Sequence, residues 1–317
     1  MLLAAVVLLT FLMPMSQRSK ATQDTSIEET LDRALDYLVN NYNATIGLIP
    51  EVPSSTTYYL YSDNFLASYI LGYYTQNNLT LTSIATNISS TIWKYIQPLP
   101  DSMNQYMVLN SSVAAFNGSS NYIIASYENT VINSTINNGT EILHSFDYAD
   151  IAFLKALYYS RTDQTQALIE YQIGADMFNG KGINDTAFRN GTQIGEYQTF
   201  KLALYIYVSR VLQQQYAQDI RTILLNMQAN SGGFYTGYDE NFSSNGTNTN
   251  VETTCLAILA LKEPLIPLIP EFQYQILVSV LVISTALVVF LQKARKILSQ
   301  DDGQAILSTG QHKEAHT

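Results

Sequence analysis

Apolar residues along most of this chain recur at intervals of three and four, the spacing that lines one face of an α-helix. Ser26 stands as an N-cap ahead of Ile27, Leu31, Ala34, Leu35 and Leu38, which fall on a common face. Seven further helices are predicted at 63–75, 80–97, 147–161, 164–178, 196–213, 217–230 and 250–262. The connections alternate in length: long over 42–62, 98–146, 179–195 and 231–249, short near 76–79, 162–163 and 214–216. Antiparallel packing then gathers the long loops on one rim and the short ones on the other, as in stacked helical hairpins whose paired helices are joined through the long loops. The expected fold is all-α, a hairpin stack spanning 23–263 with a small β-hairpin insertion at about 97–146. Within that insertion Tyr122–Tyr127 and Glu141–Leu143 lean toward strand, separated by an Asn-rich turn region.

Two stretches are apolar all round. From Phe272 to Leu291 there are twenty residues without a charge, enough for a helix of about 30 Å, the thickness of a bilayer's hydrocarbon core. Lys293, Arg295 and Lys296 follow, so the positive-inside rule predicts a cytoplasmic tail at 293–317, a membrane helix at 272–292, a linker at 264–271 and an extracytoplasmic main domain. The shorter run Leu2–Met13 predicts a signal peptide or N-terminal anchor over 1–22, although no basic residue precedes it and Arg18 and Lys20 follow. At Pro270-Glu271-Phe272 the chain resembles the archaeal Pro-Glu-Phe sorting tails, in which this tripeptide precedes an apolar helix and a basic cluster. That resemblance implies an archaeal surface protein; here the tail continues from Ile297 to Thr317, beyond the point where such tails usually stop.

The predicted second helix of each pair begins alike. Asp63, Asp150, Glu196 and Glu252 all place a carboxylate in the first turn, where the free amides and the helix dipole favour negative charge. Three long loops carry a glycine followed by an apolar residue, Gly47-Leu48, Gly182-Ile183 and Gly233-Phe234. The stretch Gln228-Ala229-Asn230-Ser231-Gly232-Gly233-Phe234, followed by Asn250-Val251-Glu252-Thr253-Thr254 and an Ala/Leu helix, resembles a repeat of the α/α toroids. Terpenoid cyclases and protein prenyltransferases contain such a turn, and six-hairpin glycosidases share the toroid architecture. The resemblance implies that the four carboxylates face a central funnel, where a pair would serve glycoside hydrolysis as acid and as nucleophile or base. No Asp-rich diphosphate motif and no Asp/Cys/His zinc set of the other toroid enzymes is present, and neither a metal nor a cofactor is expected.

Composition narrows the partners. Charged residues make up 13% and the net charge is −10, so the surface is polar but weakly charged and offers nothing to nucleic acid. The single Cys255 lies in an apolar run and reads as a small core residue. Eleven Asn-x-Ser/Thr acceptor sites, at Asn43, Asn78, Asn87, Asn110, Asn117, Asn133, Asn138, Asn184, Asn190, Asn241 and Asn245, agree with an exported glycoprotein. The expected function is a membrane-anchored surface protein, binding a glycan or a neighbouring surface protein at the funnel. The alternative is a glycoside hydrolase-like enzyme using those first-turn carboxylates.

Overall fold

The computed structural model describes residues 27–53, 55–74, 78–96, 102–110, 118–127, 130–137, 144–188, 196–244 and 247–262. The predicted leader, the 272–292 segment and the tail lie outside them. Among the described residues no helix is long and apolar enough to cross a membrane.

The protein is mostly helical: α1 (27–40), α2 (Tyr61–Tyr74), α3 (Leu79–Ile96), α4 (Ala149–Tyr159), α5 (Gln164–Ala175), α6 (Thr199–Val211), α7 (Gln218–Asn226) and α8 (Val251–Leu261). Sequence decides which helices lie inside. In α8 every residue except Glu252 is buried, and α6 buries every residue from Lys201 to Ser209; helices apolar all round belong in the middle of a core. In contrast, α3 buries Ile84, Ala85 and Ile88 while Thr82, Ser83, Thr86 and Asn87 face water.

The inner helices form a chain of neighbours, with α4 packed on α6, α6 on α8 and α8 on α2. A 3-10 turn, Gln105–Leu109, packs on both α2 and α4 and fills the gap between them. Asn104 caps that turn by accepting from the Tyr106 amide at 2.9 Å. Its far end is held where the Leu109 carbonyl accepts from Arg161 Nη2 at 2.7 Å and from the Tyr69 hydroxyl at 3.3 Å. Among the described helices the most extensively apposed pairs are α2 with α3 and α4 with α5, which are joined by short turns. The hairpins therefore close through the short connections, whereas alternation of loop length predicted pairing through the long ones. A turn of a few residues forces its helices to lie side by side, and the long loops instead cross one end of the inner layer.

The β insertion is larger than predicted. Strand β4 (Thr130–Asn137) pairs antiparallel with β3 (Gly118–Tyr127) and with β2 (Ser102–Met103), and parallel with β1 (Tyr58–Leu60), which directly precedes α2. The second hairpin strand is thus 130–137; the predicted Glu141–Leu143 lies outside the described residues. Asn133 and Asn137 made this strand read as turn, because Asn is disfavoured in strands. Two short ladders complete the architecture, β5 (Glu196–Gln198) with β7 (Gly237–Asp239) and β6 (Phe234–Tyr235) with β8 (Thr249–Asn250).

Candidate functional site

The long loops share a turn that sets the start of an inner helix. Asn43 bridges Leu48, Phe178 bridges Ile183 and Gln228 bridges Phe234 in the same antiparallel sense, and Leu48, Ile183 and Phe234 are buried. Gly47 and Gly232 adopt φ of +81° and +92°, the left-handed region that a side chain disfavours. Two of these turns are built alike around an asparagine. The Asn43 side-chain Oδ1 accepts from the Thr45 and Ile46 amides, and its Nδ2 donates to the Tyr59 hydroxyl at 3.1 Å. Asn179 accepts from Lys181 and Gly182 and donates to the Tyr197 hydroxyl at 3.0 Å. Tyr59 and Tyr197 each stand two residues before an inner helix, so each turn fixes the entry into α2 or α6.

Three of the four predicted carboxylates gather where those helices begin: Asp63 in α2, Asp150 in α4 and Glu252 in α8. Glu196 does not. It is exposed in β5, before α6, and the first turn of α6 carries Lys201 in its place. Lys201 is 4% exposed and held between Asp150 Oδ1, at 3.0 Å, and Asp185 Oδ2. Asp185 also accepts from the Ala149 amide at 3.0 Å. It thereby caps α4 from a distant loop, where the N-cap residue Tyr148 makes no side-chain cap. Burial raises the pKa of Asp185 against the opposing pull of Lys201 and the Ala149 amide.

On the other side of the cluster Asp63 is 1% exposed. One of its oxygens accepts from the Ser62 hydroxyl at 3.1 Å, and the other has no hydrogen-bond partner. Burial, then the charges of Glu252 and Glu51, push its pKa well above the carboxylate range, so it is held as the neutral acid. Glu252 keeps some contact with solvent and accepts from the buried Tyr106 hydroxyl at 2.5 Å. Burial pushes its pKa up to about 7; the Tyr106 hydrogen bond and Lys201 lower it, and Asp150 and Glu51 raise it. Glu51 is raised by burial as well, and its carbonyl accepts from the Val251 amide at 3.0 Å, seating the 41–57 loop on α8. Cys255, further along α8, is fully buried, and burial raises its thiol well above the usual range. Among the described residues no group of three or more His, Cys, Asp or Glu is arranged to hold a metal ion.

Beside the Lys201 bridge lies a pocket of about 280 Å³, lined by Asp185, Phe188, Glu196, Tyr197, Gln198, Lys201, Tyr238 and Asp239 among others. The Tyr197 and Tyr238 rings lie 5.4 Å apart, and Tyr238 stacks on Phe242 at 6.4 Å. Phe188 and Phe242 are about two-fifths exposed. Sequence patterns alone did not find Glu51, Tyr106, Asp185 or Lys201. A signal existed for Lys201, the only charge in the otherwise apolar run Phe200–Ser209. It existed too for Glu51 and Asp185, each a carboxylate within four residues of a Gly-apolar turn.

The acceptor asparagines differ in availability. Asn78, Asn87, Asn110 and Asn241 are exposed, and Asn43 and Asn184 are half-buried. Asn133 lies in β4, and Asn117, Asn138, Asn190 and Asn245 fall outside the described residues. No protein-family model matches the chain, and no curated protein or solved structure matches it.

Proposed function

We propose that this chain is an extracytoplasmic surface protein that binds glycan in the pocket between β5, β7 and the 183–188 loop. In this account the inner ring is a partial α/α toroid, and the 272–292 segment is a single membrane helix with the 293–317 tail in the cytoplasm. The supporting observation is the make-up of the pocket: Phe188 provides an exposed aromatic face, the buried Tyr197 and Tyr238 back the wall, and Gln198, Glu196 and Asp239 provide hydrogen-bonding edges. Sugars have that dual character, with apolar C–H faces that rest on aromatic rings and hydroxyls that need polar partners. The buried Asp63 lies among packed side chains and suits a structural acid better than a reacting one.

Glycan-array screening of the full chain in detergent tests the proposal. Binding to a restricted set of oligosaccharides, reduced at least about tenfold by Phe188→Ala, is the expected result, since a lost stacking contact and its buried area are worth about 1.5 kcal/mol or more. An array with no hits, or hits unaffected by Phe188→Ala, would count against it.

A second function, glycoside hydrolysis, is favoured by one specific feature. Glu252 titrates near pH 7 and is partly accessible, and Asp150 nearby is ion-paired to Lys201. Two neighbouring carboxyl groups in unlike surroundings, one with a raised pKa and one held by a cation, are the arrangement that glycosidases use. Turnover of any arrayed glycan that is lost in Glu252→Gln would favour the hydrolase over the binder.

A further inference from the structure

Resting on the proposal of an exported chain with a glycan pocket, the placement of the acceptor sites names the glycan. Asn184 is the only asparagine among the described lining residues, and it opens the acceptor tripeptide Asn184-Asp185-Thr186. Two further acceptor tripeptides, Asn241-Phe242-Ser243 and Asn245-Gly246-Thr247, contribute their hydroxyl residues, Ser243 and Thr247, to the same lining. Three of the eleven acceptor tripeptides thus meet at one pocket, and only the first places its asparagine there.

The fold holds this tripeptide in a fixed relation to the exposed ring. The Asn184 amide donates to the Met177 carbonyl at 2.8 Å, which ties the acceptor to the end of the Phe178–Ile183 turn. Asp185 is buried between Lys201 and the Ala149 amide, so the middle of the tripeptide is anchored. The 3-10 turn Thr186–Phe188 then folds back, with the Phe188 amide donating to the Asp185 carbonyl at 3.0 Å. Phe188 is braced edge-on by the Tyr148 ring at 6.0 Å and stays 41% exposed. A sugar attached at Asn184 therefore starts at the pocket, beside a ring positioned by the same turn. The volume of about 280 Å³ lies at the lower end for ligand pockets, which suits the first sugars of a chain whose remainder runs out to solvent. Tethering puts those sugars at an effective concentration on the order of millimolar, so contacts too weak to capture a sugar from solution keep them seated.

We infer that the pocket is the seat of this chain's own N-linked glycan, attached at Asn184, and that the seated glycan closes the pocket to others. Attachment takes a lipid-linked oligosaccharide phosphate as donor and a transferase of the host cell. The Asn184 Nδ2 bonds to the anomeric carbon and gives up one proton, the bond from that carbon to the phosphate oxygen breaks, and the lipid phosphate leaves.

The test uses full chain in detergent from a eukaryotic secretory host with high-mannose N-glycans, beside full chain from a bacterial host that attaches none. Glycopeptide mapping is expected to find Asn184 occupied. An endoglycosidase that cuts between the first two sugars should release the Asn184 glycan from folded chain at least about tenfold more slowly than the glycan on exposed Asn87, a gap that unfolding abolishes. Phe188→Ala should abolish the gap in the folded chain, which shielding of the asparagine alone would not do. Thr186→Ala removes the acceptor without touching the lining, and from the glycosylating host it should bind arrayed glycans at least about tenfold more tightly than the parent chain. An empty Asn184, release as fast as at Asn87, or protection that survives Phe188→Ala overturns the seat. The glycan-binding proposal then stands if the bacterial chain still binds arrayed glycans. Thr186→Ala binding no better than the parent, while the bacterial chain binds, overturns the closure. Protection that is lost in Phe188→Ala, with no array binding by the bacterial chain, keeps the seat and overturns the binding of free glycan.

Discussion

Lys201 and Asp63 sit in comparable places, one in the first turn of α6 and one in that of α2, and their surroundings treat them oppositely. Lys201 is clamped between two carboxylates; Asp63, buried with carboxylates for neighbours, has its pKa pushed well up. Replacing Lys201 by methionine leaves Asp150 and Asp185 without their cation, and uncompensated buried charge costs about 3–5 kcal/mol. Urea unfolding of Lys201→Met should show a loss of that size, and a change below about 1 kcal/mol would mean the triad is not the clamp described. The acid cluster gives a pH dependence with a definite sign. Asp63, Glu252, Glu51 and Asp185 all have folded-state pKa values above their ordinary ones, so the folded protein holds protons that the unfolded chain releases. Their contribution is complete below about pH 4 and is lost as pH rises through the folded values, which for Glu252 is about 7. The melting temperature should therefore fall between pH 5 and pH 8. Asp63→Asn, neutral at every pH, should flatten that fall and raise stability at pH 8; a melting temperature that climbs across this window would contradict the sign. Asn43 makes a separate prediction, because its Nδ2 is already bonded to Tyr59. Glycopeptide mapping should find Asn78, Asn87 and Asn241 occupied before Asn43.

At the scale of elements, helical periodicity placed the helices to within a few residues, because each inner or outer face is long and continuous. The first turn of α6 was misplaced for a physical reason. Glu196-Tyr197-Gln198 looks like the entry to a helix, but its amides and carbonyls are taken up by β7; only the partner strand, some forty residues away in the chain, distinguishes the two. The recurrence of a glycine before an apolar residue was legible, whereas its consequence, a turn tied by an asparagine to the next inner helix, depends on Tyr59 and Tyr197 arriving from outside the motif. The convergence of Asp63, Asp150 and Glu252 followed from their shared position in the first turn. Lys201 and Asp185 did not, since a lone lysine and a loop aspartate acquire meaning only when the long loop folds back. The turn before α8 is the most constrained of these elements. A Cβ on Gly232 would lie 2.1 Å from the Arg33 carbonyl oxygen, at a φ of +92°. Gly232→Ala should lower stability by about 2 kcal/mol or more, through both clash and backbone strain, measured by thermal unfolding. Because Arg33 and Thr30 also bind this turn from α1 through the Ala229 carbonyl and Gln228, the same change should speed hydrogen exchange in α1.

Over the whole molecule, the inner helices and the 105–109 turn make a continuous layer whose helix starts meet at one end, and both the acid cluster and the pocket lie there. A scaffold of this kind separates the buried helices α6 and α8, which carry stability, from the loops that line the proposed binding pocket. The proposed orientation in the membrane predicts that protease added outside intact cells degrades the 23–263 domain and spares the 293–317 tail; the reverse pattern would invert the topology. The central claim is that the polar, aromatic pocket beside Lys201 is a place where glycan is held. Its most direct measurement is a crystal structure of the chain with an oligosaccharide selected from the array. The account predicts an intact sugar lying against Phe188 with its polar edge toward Glu196 and Asp239. A sugar bound instead between Glu252 and Asp150, cleaved at that point, would contradict it.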